Sequence, residues 1–142
     1  MDEVKQIIVI RKDLKMRKGK IVAQGAHASM KVLMDKLSAR PVFLTGIYTG
    51  ASRFVELSVV ISQSSSLYKW LMGDFTKIVV GVNSLEELEE LELKAIKNNI
   101  LTAKITDAGR TEFKGIPTIT ALAIGPDYSN TINPITQHLT LI

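Results

Sequence analysis

Apolar and polar residues fall in blocks along this chain, and the period inside each block names the element it favours. Lys5 to Arg11, KQIIVIR, sets four consecutive β-favouring apolar residues between polar ends, which predicts a buried strand. Lys12 to Gly19 fits neither period and reads as a loop. Val22, Ala26, Met30, Leu33 and Leu37 then recur at steps of four and three, the apolar face expected of an amphipathic helix. Gly25 lies inside that helix at a propensity cost of about 1 kcal/mol relative to Ala, which points to a close approach or a functional reason. Pro41 ends the region, and Val42 to Ile61 turns β-like: VFLTGIY, a small-residue turn TGAS, then FVELSVVI. A hairpin or an irregular excursion is expected there.

The second half is more regular. Ser64 to Ser66 can cap a short helix, LYKWLMG, closed by Gly73. Lys77 to Val82, KIVVGV, is a second buried strand. Ser84 and Glu87 form a capping box for a helix reaching Asn99, with Leu85, Leu88, Leu91, Ala95 and Ile96 as its apolar face. Glutamates crowd its start, and Lys94 and Lys97 stand at its end, matching the helix dipole. Thr102 to Thr106 and Thr118 to Ile124 supply a third and a fourth strand, and Gly125-Pro126 and Asn133-Pro134 punctuate the tail before HLTLI. Strands separated by helices predict an α/β sandwich built on a mixed sheet.

Composition narrows the class. A chain of 142 residues with 46% hydrophobic and 23% charged residues suits one globular domain, residues 1–142, with a core of its own. The absence of Cys excludes disulfides and thiolate chemistry. The two His, with no ligand-spaced partners, argue against zinc. No apolar run reaches the ~18 residues of a membrane span, and the opening MDEVKQ lacks a leader pattern, so a soluble cytoplasmic protein is expected. The net charge is only +4, but six of the ten residues from Arg11 to Lys20 are basic against one Asp. Such a patch attracts polyanions, although a solvated turn has the same composition.

Two constellations could carry chemistry. Lys20, Gln24, His27 and Lys31 follow at steps of four, three and four, one stripe of the first helix set apart from its apolar face. Lys18 and Lys20 stand in the first turn, where the helix dipole disfavours cations. The same stripe is also what a plain solvent face looks like, and His27 could equally be a buried imidazole. The second constellation is TDAGRTEFKG, Thr106 to Gly115. It sets a carboxylate, a guanidinium and a hydroxyl (Asp107, Arg110 and Thr111) directly after a strand, with Gly109 permitting a tight turn. Ligands in α/β sheets favour the carboxyl ends of strands, though an ordinary Asx-turn uses the same residues.

RKDLKMRKGKIVAQGAHA near the start, KIVVGV with SLEEL, then ITDAGRT, LAIGP and a closing HLTLI occur in an order that resembles the type 2 peptidyl-tRNA hydrolases of archaea and eukaryotes. The resemblance spans nearly the whole chain. It implies a three-layer sandwich with a mixed four-stranded sheet between helices, a homodimer, and metal-independent, cofactor-free hydrolysis of the ester joining a peptidyl group to tRNA. Carried over by position, it implies functional roles for Lys20, Gln24, His27, Asp107, Thr111 and Thr120. The tRNA would be held through Arg11, Lys12, Lys15, Arg17, Lys18 and Arg110, since phosphate contacts hold register without reading sequence.

The chain departs from the family pattern in two places. Arg17 stands where the family often has Gly, and residues 39–67, about Ala39 to Leu67, look like an insertion. One competing reading is a catalytically silent RNA- or protein-binding module that uses the inserted strands. A small-molecule esterase is another, weakened by the lack of a Gly-x-Ser-x-Gly elbow. Retention of every matching polar residue favours the hydrolase over the silent module.

Overall fold

A computed structural model describes residues 3–43 and 54–142. The chain runs β1 (Val4–Arg11), a 3-10 turn (Lys12–Leu14), α1 (Lys18–Met34), β2 (Ser38–Val42), β3 (Phe54–Ser58), α2 (Ser66–Met72), β4 (Lys77–Val82), α3 (Leu85–Lys97), β5 (Thr102–Asp107), β6 (Thr118–Tyr128), α4 (Ser129–Thr136) and β7 (Thr140–Leu141). The main sheet has the order β5-β6-β1-β4-β7. β1 and β4 are parallel, and β6 is antiparallel to both β1 and β5. The carboxyl ends of β1, β4 and β5 therefore share one edge of the sheet.

The run Ile7–Ile10 is continuous because β1 is central and covered on both faces. Ile7 and Val9 pack with Leu88, Leu91 and Ala95 of α3 and with Ile132 and Ile135 of α4. Ile8 and Ile10 point the other way, into a core with Ala28 and Val32 of α1 and the small residues Ala103, Ala121 and Ala123 of β5 and β6. The expected α/β sandwich with a mixed sheet is thus present, and the four expected strands are its β1, β4, β5 and β6. A fifth, β7, arises because part of HLTLI pairs antiparallel with Val80 and Gly81 of β4. At α3, Ser84 Oγ accepts from Glu87 N at 3.1 Å. The Glu87 carboxylate reaches back to Asn83 N at 3.0 Å, one residue earlier than a standard capping box. No helix among the described residues is long and apolar enough to cross a membrane.

The buried face of α1 differs from the periodicity. Val22 and Met30, expected in the core, are exposed, whereas Gln24, Ala28 and Val32 are buried. Leu37 lies beyond the end of the helix at Met34. The helix is centred over β1, β5 and β6, where alanines permit close approach and where the Gln24 amide finds partners. Its apolar stripe is consequently turned sideways. His27, off the buried stripe, is exposed, which removes the buried-imidazole reading. The expected hairpin is present as a strand pair, β2 with β3, in a two-stranded sheet separate from the main one. The TGAS turn and the last five residues of VFLTGIY lie outside the described residues.

Leu88 is fully buried between α3 and the sheet. Leu88→Ala is expected to destabilise the fold by about 2–5 kcal/mol through lost burial and an unfilled cavity. Urea unfolding at neutral pH reads this as a lower midpoint with little change in slope.

Candidate active site

α1 starts at Lys18 with Arg17 as its N-cap, no capping side chain and no acidic residue in its first turn. Its exposed N–H groups and the Lys18 and Lys20 charges therefore make the carboxyl edge of the sheet electropositive. β5 ends at Asp107 on the same edge, and β6 leaves it at Thr118. Between them the loop turns through Gly109, which has φ +80° and where a Cβ would overlap the Ile116 backbone. That turn lets Gly109 N donate to Asp107 Oδ2 at 2.9 Å.

Asp107 Oδ1 accepts from Lys20 Nζ at 2.9 Å and from Gln24 Nε2 at 3.2 Å. Lys20 Nζ also donates to Thr111 Oγ1 at 3.1 Å. Behind this pair, Thr120 Oγ1 donates to Gln24 Oε1 at 2.5 Å. The amide orientation follows from its neighbours: an ionised carboxylate only accepts, so the nitrogen of Gln24 faces Asp107 and its oxygen faces the hydroxyl. Lys20 and Asp107 are mostly covered, with side chains 15% and 16% exposed, while Gln24 and Thr120 are sealed at 1% and 0%. The Lys20 hydrogen bond holds the Asp107 carboxyl below the usual carboxylate range; desolvation opposes this, and the Gly109 N–H, the Lys20 charge and Gln24 reinforce it.

The structure thus brings together five of the six candidates on the catalytic side: Lys20, Gln24, Asp107, Thr111 and Thr120. His27 enters none of these bonds. Among the basic candidates, Lys12, Lys15, Arg17, Lys18 and Arg110 are exposed around the same edge. Lys15 caps the 3-10 turn in a left-handed conformation, φ 51°. Arg17 is 3.9 Å from Glu112. Lys12 lays its stem over Gly81, where any Cβ would run into it. Arg11 differs from them: it is largely covered, paired with Asp13 at 2.6 Å and donating to Ile119 O at 2.9 Å. Phe113 was absent from the candidates, yet its ring centroid lies 5.6 Å from Lys20 Nζ, in cation–π range. The only sequence trace of this was an aromatic two residues after Thr111. Among the described residues no group of three or more His, Asp or Glu could hold a metal ion.

Comparison with known proteins identifies the family of the chain. The family model described as peptidyl-tRNA hydrolase PTH2 matches residues 4–142. A peptidyl-tRNA hydrolase of Sulfurisphaera tokodaii is 37% identical over 97% of this chain and 98% of its own. One from Methanocaldococcus jannaschii is 36% identical over 98% and 100%. Among solved structures, a protein of unknown function from Agrobacterium superposes with a TM-score of 0.52 over 100% of this chain and 99% of its own. At 11% identity that likeness concerns the fold alone.

The depressed Asp107 carboxyl has a consequence for stability. Its contribution is complete above the unfolded carboxyl value, about 3.9, and is lost as pH falls through the lower folded value. Urea unfolding of the native chain and of Asp107→Asn should show a stability gap that is constant from about pH 5 to pH 8 and narrows below about pH 4. A gap independent of pH would mean that the pair does not form.

Proposed function

This chain belongs to the peptidyl-tRNA hydrolase PTH2 family, and from that premise we propose that it hydrolyses the ester between peptide and tRNA in peptidyl-tRNA, releasing tRNA for reuse in translation. One observation carries the reading. Lys20 and Asp107, 87 residues apart in sequence, meet at 2.9 Å beside an exposed Thr111 hydroxyl on an edge rich in cations.

In the proposed mechanism, water attacks the ester carbonyl and the C–O bond to the ribose breaks. The ribose oxygen leaves with a proton that originated on the water. An ammonium has three N–H donors, and among the described residues those of Lys20 go to Asp107 and Thr111. The third is available to the carbonyl oxygen as it becomes an oxyanion. A preorganised donor there is worth roughly 3–4 kcal/mol. Asp107, held below the usual carboxylate range, is a weak base, so its part is to fix Lys20 and orient the water with Thr111. Gln24 and Thr120 are too deep to touch substrate and act as positioning residues. His27 lies about two turns along α1 from Lys20 and is left with an orienting role. Lys12, Lys15, Arg17, Lys18 and Arg110 hold phosphates of the acceptor end, while Arg11 braces the loop that carries them. Residues 1–142 act as one domain, as a homodimer, in the cytoplasm, with the segment 39–67 as an addition to the family core.

Lys20→Ala and Asp107→Ala should each lower kcat/KM for peptidyl-tRNA by about 10²–10³-fold or more. Full activity in either variant would overturn the assignment, and absence of turnover in the native protein would favour a silent binding module. Binding of tRNA should weaken by more than about tenfold between 50 and 200 mM salt, as release of counterions from several phosphates requires. Arg17→Ala and Lys18→Ala should each flatten the log–log slope by about one. Salt-independent binding would remove the phosphate role.

A further inference from the structure

Two cavities border the main sheet. The larger, about 760 Å³, is an apolar trough between α1 and α2, a gap in the helical layer whose charged side chain, Lys77, is already engaged by Phe75 O. The smaller, about 340 Å³, is polar and lies at the carboxyl edge, outside the ends of β1 and β4. Its place follows from the topology. β1 and β4 are adjacent and parallel, with Arg11 beside Val82. The chain leaves β1 for α1, which packs on the face of Ile8 and Ile10, and leaves β4 for α3, which packs on the face of Ile7 and Val9. Connections that depart to opposite faces open a crevice between the two strand ends, and ligands of open α/β sheets bind in such crevices.

The lining carries both signs of charge. Lys12, Lys94 and His138 share it with Glu87 and Glu90. Glu87 Oε2 accepts from Asn83 N, whereas Lys12, Glu90, Lys94 and His138 enter no ion pair or side-chain hydrogen bond among the described residues. Lys12 is seated by the sheet itself. Its stem lies across Gly81, where an added Cβ would come to 2.5 Å from Lys12 Cδ.

We propose that this crevice holds one nucleotide of an unpaired RNA end, with a base that carries an amino group. The inference rests on the tRNA reading above and adds a subsite for the strand upstream of the ester. A purely basic pocket would take phosphate alone. Glutamates among the cations disfavour a run of phosphates and select a ligand that joins one anion to a hydrogen-bond donor. A nucleotide has both. Its phosphate goes to Lys12 and Lys94. The exocyclic amine of cytosine or adenine donates to Glu90, a carboxylate that the uracil carbonyl oxygen would only repel. The His138 ring offers a face on which the base stacks, as unpaired bases do. The unpaired end of tRNA consists of cytidines and an adenosine, so its bases all carry such an amine. The volume is at the small end of ligand sites, suited to one nucleotide. Position agrees as well. Two strands separate β5 from β4, which puts the crevice about 14 Å from Asp107 along the edge. That is beyond the nucleoside bearing the ester and within reach of the nucleotides before it.

Peptidyl-tRNA whose terminal cytidines are replaced by uridines tests this, together with 5′-labelled single-stranded oligoribonucleotides carrying the same two ends, read by fluorescence anisotropy. The native protein should favour the cytidine end by about tenfold in both KM and Kd. Glu90→Gln should bring that ratio close to one, because an amide both accepts from cytosine and donates to uracil. The change should sit in KM and not in kcat. His138→Ala should weaken both ends alike, by about fivefold or more. Both substitutions are at exposed positions. Equal native use of the two ends, or a preference that Glu90→Gln leaves intact, would overturn the nucleotide subsite while hydrolysis itself continued. A KM that follows peptide length and ignores the 3′ bases would assign the crevice to the peptide and overturn it equally. If no peptidyl-tRNA is turned over, the hydrolase reading falls, and the anisotropy ratio still decides the crevice.

Discussion

The site depends on Asp107 being an acceptor and nothing else. An ionised carboxylate cannot donate, so each group around it must bring a hydrogen: Lys20 from α1, Gln24 from the next turn, and the Gly109 amide from its own loop. This requirement ties the first helix to the end of β5, and through Thr120 to β6. It also fixes the rotation of α1, because the helix that offers Gln24 to the sheet must turn Val22 and Met30 away from it. The geometry of the candidate site and the gap in the helical layer therefore have one cause.

Charge reinforces the same arrangement. The N-terminus of α1 carries cations and no acid within its first turn, an order that costs helix stability and is compensated only by an anion beyond it. Asp107 supplies part of that compensation internally. The surrounding exposed cations remain available to an external polyanion.

Much of this fold was legible in local pattern. β1, β4 and β5 declared themselves as apolar or β-branched runs, and α3 through its Ser84–Glu87 cap and regular apolar face, because those features act over a few residues. α1 was legible as a helix and illegible as a packed object. Periodicity finds the apolar stripe, but Gln24 is buried by partners 83 and 96 residues away, which no local window contains. The motifs pointed to Lys20, Gln24, Asp107, Thr111 and Thr120, which hydrogen bonds link in the fold, and to His27, which enters none of those bonds; spacing along a helix says which residues share a face and not where that face points. β7, two residues long, is too short to leave a pattern, and Phe113 became visible only through its distance to Lys20.

The hydrogens from Thr120 to Gln24 to Asp107 all point one way. An amide holds its N–H at any ordinary pH, so this line cannot hand a proton backward or forward as a water chain would. It is a mooring and not a conduit. In the proposed mechanism every proton that moves must therefore come and go from the open side of the pocket, and the interior of the protein stays chemically silent while it keeps that edge in place.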